Sequence, residues 1–180
     1  MSENFSPLFA RIEAIDYYLP KKKEDLKSLI YKNPEWSIEE IKKKTGVINR
    51  YISSPNETAL DLGISAAEKL LKNYKNRSKI DALIFVTQSP DYSLPTTACI
   101  AQEKLKLGTN CMSFDVNQGC SGFIYGLAIA SSLISSGLVK KTMLICADTY
   151  SKYINEHDRT CRPIFSDGAA AILLKSSSNR

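Results

Sequence analysis

The sequence predicts an α/β fold in which a mostly parallel, buried sheet is layered with helices, one of them central and buried. Three observations carry that expectation. Short apolar runs at 81–87 (DALIFVT), 111–116 (CMSFDV) and 142–148 (TMLICAD) lack strict alternation, as strands covered on both faces do. Helix-like stretches at 96–107 and 121–136 lie between them, and the resulting β-α-β-α-β order implies right-handed crossovers. The segment 120–136, CSGFIYGLAIASSLISS, is apolar or small almost all round, which is the pattern of a helix enclosed by other elements.

The elements follow in chain order. LFARIEAI (8–15) alternates well enough for a strand, and KEDLKSLIYKN (23–33) reads as a short polar helix. In NETALDLGISAAEKLLKNY (56–74), Leu60, Ile64, Ala67 and Leu71 fall on one helical stripe, and Thr58 with Asp61 has the spacing of a capping box. Gly108 and Gly137 stand where left-handed caps should close the next two helices. A last strand, AAAILL (169–174), follows a polar loop. With no internal repeat, low-complexity segment or linker, the 180 residues read as one well-cored unit.

Composition narrows the function classes. A hydrophobic content of 43% with 24% charged residues is that of a soluble globular chain, and no apolar run approaches the roughly 18 residues of a membrane span. The opening MSENFSPLFARIEA has no basic segment followed by an apolar core, so a cytoplasmic location is expected. The net charge of +5 is carried largely by Lys21–Lys23 and Lys42–Lys44. These runs fit solvated faces or a surface that meets an acidic partner or a phosphate-bearing ligand. Nucleic acid is disfavoured, because no aromatic residues alternate with the lysines as stacking platforms. The five cysteines form no CxxC pair and no zinc-like spacing, so free thiols are expected and no metal site.

One of those thiols is conspicuously placed. Cys120 sits in FDVNQGCSGFIYGL (114–127), at a strand-to-helix turn on the carboxyl edge of the expected sheet, where open α/β sheets bind ligands. A helix N-terminus there favours thiolate, and Gly119 and Gly122 permit close approach. Two readings remain open on position alone, a small packed hydrophobe or a nucleophile. Cys99, Cys111, Cys146 and Cys161 read as packing or loop residues. The single histidine, His157, lies among charged neighbours in NEHDRTC and reads as a solvated loop residue, not as a base for Cys120.

Four ordered motifs decide between the readings of Cys120. FDVNQGCSGFIYGL resembles the nucleophile segment of the β-ketoacyl-acyl-carrier-protein synthase III family, in the thiolase superfamily. KTGVINRYISSPNETALDLGISAAEKLL (44–71) resembles that family's Thr-Gly-Ile, Arg and Asn-Glu-Thr region. VTQSPDYSLPTTACIAQEKLKL (86–107) resembles the segment before the nucleophile, and HDRTCRPIFSDGAAAILL (157–174) resembles the Asp-Arg and Phe-x-Asp-Gly-Ala signature.

The resemblance implies a thiolase-like layered fold, of which residues 1–180 form the N-terminal half, with the C-terminal half absent. It implies that Cys120 takes an acyl group from acyl-CoA or from an acyl-carrier protein. Condensation with malonyl-acyl-carrier protein then follows, with loss of carbon dioxide, in fatty acid biosynthesis. By the same resemblance Arg159 and Trp36 hold the CoA adenine, Trp36 being set back from Thr45-Gly46 by a short insertion. Leu94 reaches across a homodimer into the partner's acyl pocket, and Phe123 belongs to the substrate pocket. No permanently bound cofactor is implied, since acyl-CoA is a substrate. The family's catalytic histidine and asparagine lie in the second half, so the fragment alone is expected to be inactive. The alternatives are transfer of the acyl group to an oxygen or nitrogen acceptor in a secondary or surface-glycan pathway, and a non-catalytic dimerisation or carrier-binding module.

Overall fold

A computed structural model describes residues 9–72, 74 and 76–178. The chain first forms β1 (Phe9–Tyr18), β2 (Lys22–Asp25), α1 (Leu26–Lys32), α2 (Ile38–Thr45), β3 (Asn49–Ile52) and α3 (Ala59–Leu71). There follow β4 (Ala82–Val86), α4 (Thr97–Lys104), β5 (Met112–Val116), α5 (Gly122–Ser135), β6 (Lys141–Asp148) and β7 (Gly168–Ser177). Five strands make one sheet in the order β1-β7-β6-β4-β5. β4 pairs parallel with β5 and β6, and β7 pairs antiparallel with β6 and β1. Four strands therefore run one way and β7 alone runs against them, so the expected mostly parallel sheet is present. No described helix is long and apolar enough to cross a membrane.

Helices cover both faces of the sheet, which is why β4 reads as an unbroken apolar run. Its Leu83 and Phe85 join the core under α3 and α4, while Ala82, Ile84 and Val86 join the core under α5. β5 differs from the expected fully buried strand: none of its five residues is buried. It lies at the edge of the sheet, with a neighbour on one side only.

Local chemistry explains most element ends. Thr58 Oγ1 accepts from the Asp61 N–H at 3.3 Å, and the Thr58 N–H donates to Asp61 Oδ2 at 3.0 Å, completing the box expected at the start of α3. Leu60, Ala67 and Leu71 are buried and Ile64 packs against them. α4 begins without a cap from its own Thr96, and Asp115 on β5 supplies one instead, accepting from the Thr97 and Ala98 N–H groups at 2.7 Å each. Gly137 closes α5 in the left-handed region at φ 76°, as expected.

Three expectations are corrected. The α4 helix does not run on to Gly108: Lys106 takes the left-handed position at φ 55°. The Lys106 N–H donates to Glu103 O and the Leu107 N–H to Gln102 O, at 2.9 and 3.0 Å, the two bonds of a Schellman motif. Burial of Leu105 and Leu107 on either side of Lys106 holds it there. The stretch 23–33 is not helical throughout, because Lys22–Asp25 pairs antiparallel with β3 before α1 starts. Asp25 then caps α1 by accepting from the Ser28 N–H at 2.8 Å. Finally, α5 is not enclosed. Gly122, Gly126, Ala130 and Ile134 form one buried seam against the sheet, while Ile124 is 63% exposed and Tyr125 and Phe123 also face solvent.

Gly63 shows how tightly α3 lies on the sheet. A Cβ there would stand 2.7 Å from the ring of the fully buried Phe85 and 3.0 Å from Ile145. Gly63→Ala is expected to destabilise the chain by about 1–3 kcal/mol through overpacking. Urea unfolding monitored by circular dichroism measures it, and an unchanged midpoint would show that α3 can lift off the sheet freely.

Candidate active site

Cys120 sits in a 3₁₀ turn, Gly119–Ser121, that joins β5 to α5. Two glycines shape this corner. Gly119 takes φ +55°, and a Cβ there would meet Gln88 Nε2 at 3.0 Å; a Cβ on Gly122 would stand 2.4 Å from Val86 Cγ1. The turn can therefore drop onto the end of β4 only with these residues. α5 enters the site with no side-chain cap and no acidic residue in its first turn, so its positive end is left uncompensated by side chains.

A small open cleft of about 250 Å³ contains Cys120. Phe123 lines it, and so do Val86 and Asp148 from the ends of β4 and β6, and Ser166 and Gly168 from the approach to β7. The cleft thus lies at the carboxyl edge of the parallel strands, where the sequence puts it. Asp148 ties the edge together: its Oδ1 accepts from Thr87 Oγ1 at 3.1 Å, the Gln88 N–H at 2.7 Å and Ser89 Oγ at 3.0 Å.

Below the cleft lies a second carboxylate, Asp167, only 1% exposed. It accepts from the N–H and Oγ of Ser53 at 2.8 Å each, and from the N–H and Oγ of Ser151 at 2.9 and 2.7 Å. This one side chain clamps the segments that follow β3 and β6 to the start of β7. Sequence reasoning had Asp167 only as a letter of a motif, and it did not single out Asp148. Their signal was an acidic residue at a strand end beside Ser and Thr.

The other thiols differ from Cys120 in setting. Cys146, on β6, borders the same cleft but is partly buried, and burial followed by the charge of Asp148 pushes its pKa up to about 12. Burial likewise raises that of Cys111, against a weaker opposing hydrogen bond from Ser113. Cys99 is exposed on α4, and Cys161 lies in the loop after β6.

A larger cleft of about 660 Å³ holds Arg159. Glu40, Lys44 and Thr45 line it from α2, facing Thr160 and Ile164. Arg159 Nη2 donates to Glu40 Oε2 at 2.7 Å. Trp36 does not belong to this cleft. It is 5% exposed, packed with Leu26, Leu29 and Ile41 in the small core that joins α1 to α2. At 5% exposure little of its ring is free for the adenine stack that the resemblance implies. His157 is exposed, as expected, and its Nδ1 lies 2.8 Å from Asn33 Oδ1. Leu94 projects from the loop after β4 with 81% of its surface exposed and does not line the Cys120 cleft. Among the described residues, no group of three or more His, Cys, Asp and Glu is placed to hold a metal ion.

Comparison with known proteins agrees with the motifs. The family described as 3-oxoacyl-[acyl-carrier-protein] synthase III matches residues 114–180. The β-ketoacyl-[acyl-carrier-protein] synthase III of Xylella fastidiosa is 38% identical over 173 residues, covering 94% of this chain and 52% of the relative. That of Neisseria gonorrhoeae is 37% identical over 173 residues, covering 94% and 53%. A crystal structure of a 3-oxoacyl-(acyl-carrier-protein) synthase III superposes with a TM-score of 0.90 at 40% identity, over 94% of this chain and 50% of that one. The chain thus spans about half the length of the relatives it matches. Its α/β fold is thiolase-like, and its sequence is similar to that of β-ketoacyl-[acyl-carrier-protein] synthase III proteins over about half of their length.

Two measurements follow from this geometry. Brief iodoacetamide labelling at pH 8 with peptide mapping should modify Cys120 first and leave Cys146 and Cys111 last. At a pKa of about 12, only about one Cys146 in 10,000 is thiolate at that pH. Faster labelling of Cys146 than of Cys120 would refute the assignment of environments. Asp167→Ala should cost about 2–6 kcal/mol in chemical denaturation, because it strands the buried N–H groups of Ser53 and Ser151. A loss below 1 kcal/mol would mean that water replaces the carboxylate.

Proposed function

We propose that this chain is the nucleophile-bearing N-terminal half of a cytoplasmic, homodimeric β-ketoacyl-acyl-carrier-protein synthase III-type acyltransferase. In this reading Cys120 is loaded from an acyl thioester, and the acyl-enzyme condenses with malonyl-acyl-carrier protein in fatty acid biosynthesis. The single observation that carries the reading is the position of Cys120. It is an exposed thiol on a glycine-shaped turn, at the uncapped start of α5 and in a cleft shared with the Phe-x-Asp-Gly segment.

The chemistry assigned to this half is thioester exchange. The Cys120 sulfur attacks the carbonyl carbon of the acyl donor, a new carbon–sulfur bond forms, and the donor's thiol leaves as the old one breaks. Negative charge gathers on the carbonyl oxygen, next to a helix end that no side chain has neutralised. Phe123 and Val86 give the acyl chain an apolar wall. Asp148, itself in the wall of the cleft, and Asp167, one layer further out, hold the loops that form the rim.

Arg159, in the larger cleft, is assigned to the phosphorylated end of the donor, and Leu94 to the acyl pocket of a partner subunit. The condensing step is assigned to a second half, which supplies the histidine and asparagine. The supporting facts are the half-length coverage of the relatives and the placing of the one histidine in an exposed loop.

The test is to incubate the chain with acetyl-CoA and map the acyl group by mass spectrometry. Acylation at Cys120, absent in Cys120→Ala, is expected; equal acylation of Cys99 or none at all would overturn the reading. The same chain should release no carbon dioxide from malonyl-acyl-carrier protein. Losing one transition-state donor costs about 100- to 1,000-fold in rate, and here several are assigned elsewhere. Cys120-dependent release above background would show that the base lies within these residues. In a protein that includes the second half, Leu94→Phe should reduce activity on longer starters while sparing acetyl, a pocket methylene being worth about 1–3 kcal/mol. Equal loss on all starters would remove Leu94 from the pocket.

A further inference from the structure

The larger cleft contains a charge arrangement that its assigned role does not explain. α2 presents Glu40 and Lys44 one turn apart, on the side that faces Arg159. Among these three charged side chains lining the cleft, two are cations and one is an anion. The anion does not stand off: Glu40 Oε2 takes the Nη2 donor of Arg159 at 2.7 Å. Both side chains are about half exposed, 54% for Arg159 and 55% for Glu40, so the pair can part by side-chain rotation with no change in the backbone. Trp36, the one tryptophan, is committed to the core between α1 and α2, so electrostatics is left to do what an aromatic stack would otherwise share.

We infer that Glu40 sets the affinity of this cleft by competing with the ligand for Arg159. A phosphate-bearing donor of the CoA type must displace the Glu40 carboxylate from the guanidinium, or bind beside it and bear the repulsion. A donor without the phosphorylated nucleotide does neither. Glu40 therefore lowers affinity for free CoA thioesters relative to donors that lack the phosphorylated nucleotide. This tilts the protein toward starters carried on a protein's phosphopantetheine arm, with its single phosphodiester and no nucleotide. The inference rests on reading the Arg159 cleft as the donor's entry. Glu40 is a positioning residue in this scheme, since it acts through Arg159 and touches no reacting atom.

The experiment uses the 180-residue chain, titrated calorimetrically at low ionic strength with CoA, and with pantetheine as the probe that lacks phosphate. Glu40→Gln is expected to bind CoA about two- to fivefold more tightly than wild type, the range an exposed ion pair can contribute. Pantetheine binding is expected to be unchanged, which a merely structural role for Glu40 would not produce. Glu40→Asp, which keeps the charge, should stay at the wild-type value. In an Arg159→Ala background most of the Glu40→Gln gain should disappear, because the pair it breaks is already gone. Unchanged or weaker CoA binding by Glu40→Gln overturns the inference while leaving the donor site standing. A gain of the same size for pantetheine, or one that persists without Arg159, also overturns it. Absence of CoA binding by every variant removes both the inference and the reading of the cleft on which it depends.

Discussion

The arrangement of both clefts hangs on one buried carboxylate. Asp167 receives four hydrogen bonds, two from Ser53 and two from Ser151, and no cation shares it among those contacts. A carboxylate this deep is tolerable because the protein supplies its donors, each in turn buried and dependent on it, with the buried Arg50 charge near enough to be felt. Ser53 leads the segment running from β3 into α3. Ser151 begins the long loop that carries Arg159 and Thr160 before returning to Asp167 itself. Ser166, one residue before the clamp, reaches the wall of the Cys120 cleft. One hydrogen-bonded hub thus fixes the rims of two clefts that share no lining residue.

A second buried pair extends this hub. Arg50 on β3, 2% exposed, meets Glu24 on β2, and its Nη1 donates to Phe165 O at 3.1 Å. The small β2–β3 sheet is thereby joined to the loop before Asp167. Desolvation pulls the Arg50 guanidinium below its usual pKa while Glu24 opposes the shift. A charge so placed is held by its partners and not by solvent, so removing Glu24 alone would leave it unpaired. The loop that carries Arg159 is therefore anchored at both ends by charged groups inside the protein, although Arg159 itself lies at the surface.

α5 shows the opposite economy. Its seam of Gly122, Gly126, Ala130 and Ile134 lets the helix sit close to Val86 and Leu144, near enough that a Cβ at Gly126 would stand 2.6 Å from Leu144 Cδ1. That proximity brings the first turn, and Cys120 before it, down to the strand ends. The other faces of α5 are partly or fully open, with the apolar Phe123, Ile124 and Tyr125 contiguous at the mouth of the site. An exposed apolar patch of this kind fits the proposal that a second half completes the site.

The sequence by itself determined what depends on near neighbours. The Thr58–Asp61 box, the Gly137 cap, the apolar runs of β4 and β6 and the strand-to-helix turn holding Cys120 are each set by a few adjacent residues, and all were legible. Four motifs in order then carried the resemblance to the synthase III family, because each is a run of adjacent residues. Tertiary structure decided what depends on partners distant in the chain. Lys22–Asp25 became a strand because β3 lies some 26 residues on, against the local preference for helix. Trp36 became core because α1 and α2 close over it, and Lys106 took the left-handed cap because burial of its neighbours outweighed the cost of its Cβ. The pairing of Glu40 with Arg159 spans 119 residues. No local pattern encodes a contact of that range, since it exists only once the chain has brought α2 and the Arg159 loop together.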